Sequence, residues 1–219
     1  MDITSGKQGA SKMTYNEFCE KIKNQVPFAF SRWGDGEWYT IDKRKGQNCD
    51  GNIYYPDLGD ELLKIVSVKQ EYYMAKQQDG PCFSLAKNFN QDWTLGCILH
   101  EASQRGELHK IFKVLQSVIV VYIGNSSLKA LSFINKFIDI PPNNVWLIRD
   151  HVMNQIRQTF SDQHQVYCFS AGMCSNVFIH KLWLENPKNT YIDVGSVFDP
   201  YVGRKTRDYH HTLKLETLE

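Results

Sequence analysis

The sequence lacks the patterns that mark membrane-spanning and exported proteins. No stretch approaches the roughly 18 uninterrupted apolar residues of a transmembrane helix, and the longest apolar run, residues 118–123, has the length of a strand. The opening letters MDITSGKQGASKM contain no apolar segment of the kind a secretory signal requires. We therefore expect a cytoplasmic protein with no transmembrane segment.

Metal-cluster and redox motifs are also missing. None of the six cysteines forms a CxxC pair, and none of the seven histidines has HxxxH or HExxH spacing. The pair His210 and His211 lies near the C-terminus, where we expect both side chains to be exposed. The sequence favours free thiols in a reducing compartment, at Cys19, Cys49, Cys82, Cys97, Cys168 and Cys174.

The chain has little net charge and none of the common nucleotide-loop signatures. Its formal net charge is +1, so the broad basic field typical of nucleic-acid binders is absent and no nucleic-acid partner is expected. There is no GxGxxG loop and no Walker A loop. With 219 residues, 42% of them hydrophobic, the chain can build a substantial core. A partner is better sought in a local pocket.

The hydrophobic pattern predicts an α/β fold, with a Rossmann-like, mostly parallel sheet and helices on both faces. In the second half, strands are predicted at 118–123, 145–148, 166–169 and 190–194, with helices at 127–137, 151–160 and 174–184 between them. Residues 14–209 are expected to form a single domain. Residues 1–13 would be a disordered arm, and residues 210–219 a C-terminal tail.

Glycine-rich and polar turns follow several predicted strands. GDGE at 34–37 follows the first strand, at 28–32, and SAG at 170–172 follows the strand at 166–169. In parallel sheets, ligands bind outside the carboxyl ends of the strands. The shared placement of these turns therefore predicts a binding site at that edge.

The GDGE turn carries the strongest individual signal. If its backbone is extended, Asp35 and Glu37 point the same way and offer two hard oxygen ligands to Mg²⁺ or Mn²⁺. Gly34 and Gly36 would let the backbone approach a ligand closely, and Arg32 could bind a phosphate. An ordinary turn with Arg32 paired to Asp35 explains the same letters equally well.

Two further stretches contain candidate site residues. Ser170, Gly172 and Ser175 open a predicted helix, whose free N–H groups could bind an anion, although plain capping is the simpler explanation. Asp193 and Asp199 flank the end of the last strand as possible general bases, and Arg207 follows in a basic segment that could neutralise a phosphate. A capping aspartate and a solvated basic tail are the alternative.

Three stretches together resemble the GT-D fold glycosyltransferases: SRWGDGE at 31–37, FSAGMCSNVFIHKLW at 169–183 and YIDVGSVFDPY at 191–201. The resemblance covers residues 27 to 209 but is loose over 43–117. It implies transfer of a sugar from a nucleotide diphosphate sugar, with UDP favoured, to a glycan or other hydroxyl acceptor. It also implies that Asp35 and Glu37 hold Mn²⁺ or Mg²⁺ against the donor diphosphate.

The resemblance extends to the other candidate residues. Ser170, Gly172 and Ser175 would line the nucleotide, Arg207 would assist the diphosphate, and Asp199 or Asp193 would activate or orient the acceptor. Phe30, Trp33 and Trp38 are candidates to cover the base or the sugar, although core packing is favoured for Phe30.

Two alternatives stay open at this point. One is a non-catalytic Rossmann-like domain that recruits a nucleotide or a partner chain, with GDGE as a plain turn. The other is a metal-dependent phosphoryl or nucleotidyl transferase, because that chemistry needs the same arrangement of carboxylate, metal and diphosphate.

Overall fold

A computed structural model describes residues 13–77 and 81–211 and contains one sheet of seven strands, all parallel. The strand order is β3-β2-β1-β7-β6-β4-β5. The strands are β1 Ala29–Trp33, β2 Tyr73–Lys76, β3 Thr94–Leu95, β4 Val120–Gly124, β5 Lys136–Asp139, β6 Val166–Phe169 and β7 Thr190–Asp193. The predicted α/β class with a parallel sheet is confirmed.

Helices cover both faces of this sheet. None of those in the described part of the chain is long and apolar enough to cross a membrane. The α-helices are α1 Tyr15–Lys23, α2 Asp35–Ile41, α3 Pro56–Ser67, α4 Pro81–Ala86, α5 Ile98–Gln104, α6 Leu108–Gln116, α7 Arg149–Arg157 and α8 Cys174–Glu185. Short 3-10 helices span Ser126–Ala130, Val145–Ile148, Asp199–Val202 and Asp208–His211.

The alternation of side chains along the strands divides the core into two layers. On β4, Val121 and Ile123 pack with helices α2, α3, α7 and α8, whereas Val120 and Tyr122 pack with α1, α5 and α6. Successive strand side chains point to opposite faces, so a strand covered on both sides must be apolar throughout. All five residues of β4 are buried, as that requirement demands.

Two predicted elements of the second half are wrong. Residues 145–148, predicted as a strand, form a 3-10 helix that follows Asn144 in the left-handed region, at φ 57°. The helix predicted at 127–137 is only a 3-10 turn at Ser126–Ala130, and β5 begins at Lys136 and pairs with β4. A short apolar run suits a strand or a buried turn equally well, so the pattern alone could not separate them.

The chain ends differ in part from the sequence expectations. The predicted arm lies outside the described residues except for Met13, which is buried and whose N–H donates to Thr94 Oγ1 at 3.0 Å. At the other end, His210 was expected to be exposed but is buried, while His211 is exposed. The boundaries of the arm and the tail stay predictions.

Candidate active site

A cleft of about 720 Å³ opens at the carboxyl ends of β1, β6 and β7. Strands β1 and β7 are neighbours in the sheet, so the turns that follow them meet at one edge. Open parallel sheets bind their ligands at such an edge. The cleft is lined by residues at the ends of these strands and from four other segments: Arg32, Gly34, Asp35, Gly36, Glu37, Asn48, Cys49, Asp50, Gln77, Leu99, His100, Gln104, Gly172, Met173, Asp193, Gly195, Ser196, Val197, Arg207, Asp208 and Tyr209.

The GDGE stretch is the start of a helix rather than an extended turn. Helix α2 begins at Asp35, and Glu37 folds back so that its Oε2 accepts the N–H of Gly34 at 2.8 Å. The expectation that an extended backbone aligns Asp35 and Glu37 is therefore wrong, because residues two apart on a helix do not share a face. Both side chains still line the cleft.

Asp35 and Glu37 occupy different environments. Asp35 is exposed, and its Oδ1 accepts the N–H of Gly36 at 2.9 Å. Glu37 is buried, and its Oε1 accepts from Asn176 Nδ2 at 3.1 Å. Asn176 Oδ1 in turn accepts the hydroxyl hydrogen of Ser31 on β1. This buried chain of polar groups fixes the start of α2 against β1 and α8.

Two buried carboxylates lie beneath the cleft. Burial raises the pKa of Glu37 to about 7, against the stabilising backbone N–H of Gly34, and the negative charge of Asp193 adds to the rise. Burial likewise raises the pKa of Asp193 to about 6, opposed by the Arg32 guanidinium and by the backbone of Gly195. Asp193 Oδ1 accepts the N–H of Gly195 at 3.0 Å. Perturbed carboxylates in a cleft are typical of functional sites.

Arg32 lies between the ends of the two central strands. A Cβ on Gly195 would touch its guanidinium, which would have to shift, and the φ of +54° at Gly195 favours glycine. The guanidinium thus passes directly over the turn that follows Asp193. This position gives the cleft a fixed cation beside an ionisable carboxylate.

Arg207 reaches the cleft from the C-terminal segment and forms a bidentate ion pair. Its Nη1 and Nη2 donate to the two carboxylate oxygens of Asp50 at 2.7 and 2.6 Å. The pair joins the segment that contains Arg207 to the loop that contains Asn48 and Cys49. The two loops therefore form a continuous wall.

Most of the predicted site residues meet in the cleft, and three do not. Arg32, Gly34, Asp35, Gly36, Glu37, Gly172, Asp193 and Arg207 line it. Ser170, Ser175 and Asp199 are not among the lining residues and hydrogen-bond within the protein instead.

The polar side chains of these three residues hydrogen-bond with other groups of the protein. Ser170 Oγ donates to the carbonyl of Gly195 at 2.6 Å and is 2.7 Å from the hydroxyl of Tyr122. Ser175 Oγ accepts the N–H of Ala171 at 3.3 Å. Asp199 is buried, and its Oδ2 accepts from the hydroxyl of Thr206 at 2.6 Å.

The candidate aromatic residues of β1 and α2 belong to the core. Phe30, Trp33 and Trp38 are all buried, and Trp33 and Trp38 pack against each other with ring centroids 5.5 Å apart. They cannot cover a ligand in the cleft. The aromatic residues that line it, His100 and Tyr209, were missed because no strand-end turn marks them and because His100 falls in the loosely matching region.

The described residues contain no converging group of three or more His, Cys, Asp or Glu side chains that could hold a metal unaided. This finding excludes a closed, all-protein cage from the described part of the chain. Mg²⁺ commonly uses only one or two carboxylates and completes its coordination with substrate phosphates and water. Asp35 and Glu37 at the cleft agree with that second arrangement.

Comparison with known proteins adds information on the fold. No protein-family model matches the chain, and no curated protein matches its sequence. A solved structure described as a new glycosyltransferase (DUF1792) from Streptococcus sanguinis is similar, with a TM-score of 0.67 and 15% identity over 87% of this chain and 83% of that one.

A second solved structure is described as the highly conserved domain of unknown function 1792, with a distinct glycosyltransferase fold. It has a TM-score of 0.65 and 13% identity over 95% of this chain and 91% of its own. Its selenomethionine-substituted form gives the same values. The similarity extends over nearly the whole of both chains, so the chain has the glycosyltransferase fold of these DUF1792 proteins, as its resemblance to the GT-D glycosyltransferases implied.

Proposed function

We propose that this protein is a metal-dependent glycosyltransferase that moves a sugar from a nucleotide diphosphate sugar, with UDP as the favoured nucleotide, to a hydroxyl of a glycan or similar acceptor. One observation carries the proposal: on a glycosyltransferase fold, a single cleft gathers Asp35, Arg32 and Asp193 at the carboxyl ends of adjacent strands. A hexosyl or a pentosyl group would fit the same chemistry.

The diphosphate of the donor needs positive charge and close backbone approach. Arg32 supplies a planar guanidinium, which matches phosphate geometry well. Arg207 lies in the same cleft, although its guanidinium is engaged by Asp50. Gly34, Gly36 and Gly172 also line the cleft, and glycine lets a backbone approach a ligand closely.

Mn²⁺ or Mg²⁺ would be held by Asp35 and Glu37, which are unequal as ligands. Asp35 is exposed and needs no rearrangement. Glu37 already accepts one hydrogen bond at each oxygen, but a carboxylate oxygen has two lone pairs and keeps acceptor capacity. Carboxylate oxygens are the donors that a hard cation prefers, and the rest of its coordination would come from the donor phosphates and water. When bound, such a cation offsets the charge that develops on the leaving diphosphate.

Asp193 is the better placed of the two candidate bases. It lines the cleft, whereas Asp199 is held by Thr206. Its pKa of about 6 leaves it ionised at neutral pH, yet basic enough to take a proton. In a direct displacement, the acceptor oxygen bonds to the anomeric carbon and the carbon–oxygen bond to the diphosphate breaks. The electron pair leaves with the nucleoside diphosphate, and the hydroxyl proton passes to Asp193.

Product analysis tests this proposal against its two alternatives. The protein would be incubated with a panel of nucleotide sugars and Mn²⁺, with water as the default acceptor, and Asp35→Asn would be the control variant. We expect a free nucleoside diphosphate and a released or transferred sugar, with little of either from the variant. Pyrophosphate or a nucleoside monophosphate would instead identify phosphoryl or nucleotidyl transfer. Binding without turnover would identify a recruiting domain.

The remaining expectations are also part of the proposal. The partners would be the nucleotide sugar and a glycan or glycoconjugate acceptor, with no nucleic acid. The cytoplasmic location expected from the sequence stays a prediction.

A further inference from the structure

The cleft contains two aromatic rings among its described lining residues, His100 and Tyr209. His100 lies on α5, and Tyr209 lies in the 3-10 helix Asp208–His211, more than a hundred positions later in the chain. Trp33 and Trp38, which flank the GDGE stretch in the sequence, are buried in the core. A flat ligand group in this cleft therefore has this one pair of rings to contact.

The two rings are stacked on each other. Their centroids are 3.8 Å apart, and their planes are inclined by 27°. Both side chains are half-buried, so each keeps part of its surface toward the cleft. A preformed stack of this kind loses little side-chain entropy when a third ring is added, because each aromatic side chain has few rotatable bonds.

The segment that carries Tyr209 is anchored at several points. Arg207 forms the bidentate pair with Asp50. His210 is buried, and its Nδ1 accepts a hydrogen bond from the N–H of Thr206 at 3.1 Å. The hydroxyl of Tyr209 hydrogen-bonds with Ser196. The ring position is thus fixed by its neighbours on both sides in the sequence.

His100 contributes its ring face rather than a structural hydrogen bond. Its Nε2 is buried without a hydrogen-bond partner among the described residues. Burial, with a smaller effect from the charge of Arg32, lowers the pKa of His100, which favours the neutral imidazole. A neutral aromatic ring stacks without bringing a charge into the cleft.

We propose that the His100–Tyr209 stack is the platform on which the nucleobase of the donor lies. This inference rests on the proposed function, which places the diphosphate near Arg32 and Asp35 and leaves the aromatic part of the cleft for the base. Stacking on aromatic side chains accepts any nucleobase, since every base has a π-face. The platform therefore supplies affinity for the nucleoside, while the choice among bases depends on other contacts.

Isothermal titration calorimetry of two leucine variants tests the platform. Tyr209→Leu and His100→Leu remove one ring each, and wild type and variants would be titrated with UDP, GDP, ADP and inorganic pyrophosphate in the presence of Mn²⁺. We expect each variant to bind the preferred nucleoside diphosphate roughly five- to a hundredfold more weakly. Affinity for pyrophosphate, which has no base to stack, should change by less than about twofold.

Matched phenylalanine variants separate the ring from the rest of the side chain. Tyr209→Phe and His100→Phe keep an aromatic face, so each should lose less affinity for the nucleoside diphosphate than its leucine counterpart. Thermal unfolding of all four variants checks that the fold is intact. Equal losses for leucine and phenylalanine at the same position would overturn the stacking role.

The remaining outcomes separate the platform from the function on which it rests. If wild type binds a nucleoside diphosphate and the leucine variants bind it equally well, the platform is overturned and the proposed function stands. A parallel loss of pyrophosphate affinity would show a general disturbance of the cleft and would also overturn it. Wild type that binds no nucleoside diphosphate would overturn both.

Discussion

The turns that follow β1 and β6 are similar in composition but differ in where their polar side chains point. Both place glycine and small or acidic residues between a buried strand and a helix at the same edge of the sheet. After β1, Asp35 is exposed in the cleft, and among the described residues its hydrogen bond is with the adjacent Gly36 N–H. After β6, Ser170 and Ser175 direct their hydroxyls to buried groups of the protein.

Placement at a strand end therefore points to the edge where the cleft lies, but it does not identify the residues that line the cleft. What separates the two turns is where each polar side chain finds its partner. A short serine side chain reaches the backbone and neighbouring side chains of its own turn. The exposed carboxylate of Asp35 has most of its capacity left for a ligand. Five single substitutions test this contrast.

The largest effect is expected for Asp35→Asn. We expect a roughly thousandfold loss of turnover, because the change removes the most accessible carboxylate proposed to hold the cation. The free energy of unfolding should change by no more than about 0.5 kcal/mol, as is usual for exposed positions. Steady-state kinetics at several Mn²⁺ concentrations, together with thermal unfolding, would check both values. An active variant would remove Asp35 from the site.

Asp193→Asn and Asp199→Asn form a matched pair at the end of β7. We expect Asp193→Asn to lower kcat on the order of a hundredfold, since a general base typically contributes that much or more. Asp199→Asn keeps an acceptor for the Thr206 hydroxyl and lies away from the cleft, so most of the turnover should remain. The comparison requires kcat for both variants under the same conditions. The reverse ranking would return the base role to Asp199.

Glu37→Gln tests how the buried carboxylate changes the free energy of unfolding as pH varies. The folded-state pKa of about 7 is above the ordinary 4.5, so the folded state binds the proton more tightly than the unfolded state. This group therefore favours folding most at acidic pH, and its contribution declines between about pH 4.5 and 7. The decline amounts to roughly 3 kcal/mol.

The measurement is the difference in unfolding free energy between wild type and Glu37→Gln across this pH range. Any mismatch between the new amide and Asn176 is constant with pH, whereas the carboxylate contribution is not. The variant should therefore gain relative stability as pH rises toward 7. A difference that stays flat from pH 4.5 to 7 would show that Glu37 titrates normally.

Ser170→Ala should have the smallest effect, and on stability rather than on catalysis. The change leaves the buried Tyr122 hydroxyl without its serine partner, which costs about 1–3 kcal/mol. Adding Tyr122→Phe should recover part of the loss, because the unpaired Tyr122 hydroxyl is then gone, whereas the Gly195 carbonyl still lacks its serine donor. Chemical denaturation of the single and double variants measures the recovery. A large loss of donor affinity at unchanged stability would instead place Ser170 in the site.

The sequence predicted the fold well at β4, where the apolar run is long and rich in β-branched residues, and at β6, a short apolar run followed by a polar turn. It failed at 145–148 and 127–137, where short mixed runs leave strand and helical turn equally favourable. Helix α2 was missed because Gly34 and Gly36 indicate a turn, whereas the folded chain uses Glu37 to accept the N–H of Gly34 and begin a helix.

The site was predictable only as far as it follows strand ends. Arg32, Asp35 and Asp193 could be found this way, since each lies at or just beyond a carboxyl end. His100 and Tyr209 could not, because they meet only when α5 and the C-terminal segment pack together. The roles of Ser170 and Asp199 depended on partners distant in sequence or on a local loop conformation, which no letter pattern records.

The most direct test of the account is donor binding by wild type and Asp35→Asn, measured by isothermal titration calorimetry with and without Mn²⁺. We expect wild type to bind a nucleotide diphosphate sugar and to bind it much more weakly once the metal is chelated. The variant should show the weak binding in either condition. Equal donor affinity in all four measurements would contradict the metal-dependent site at the start of α2, and no binding by wild type would contradict the donor cleft itself.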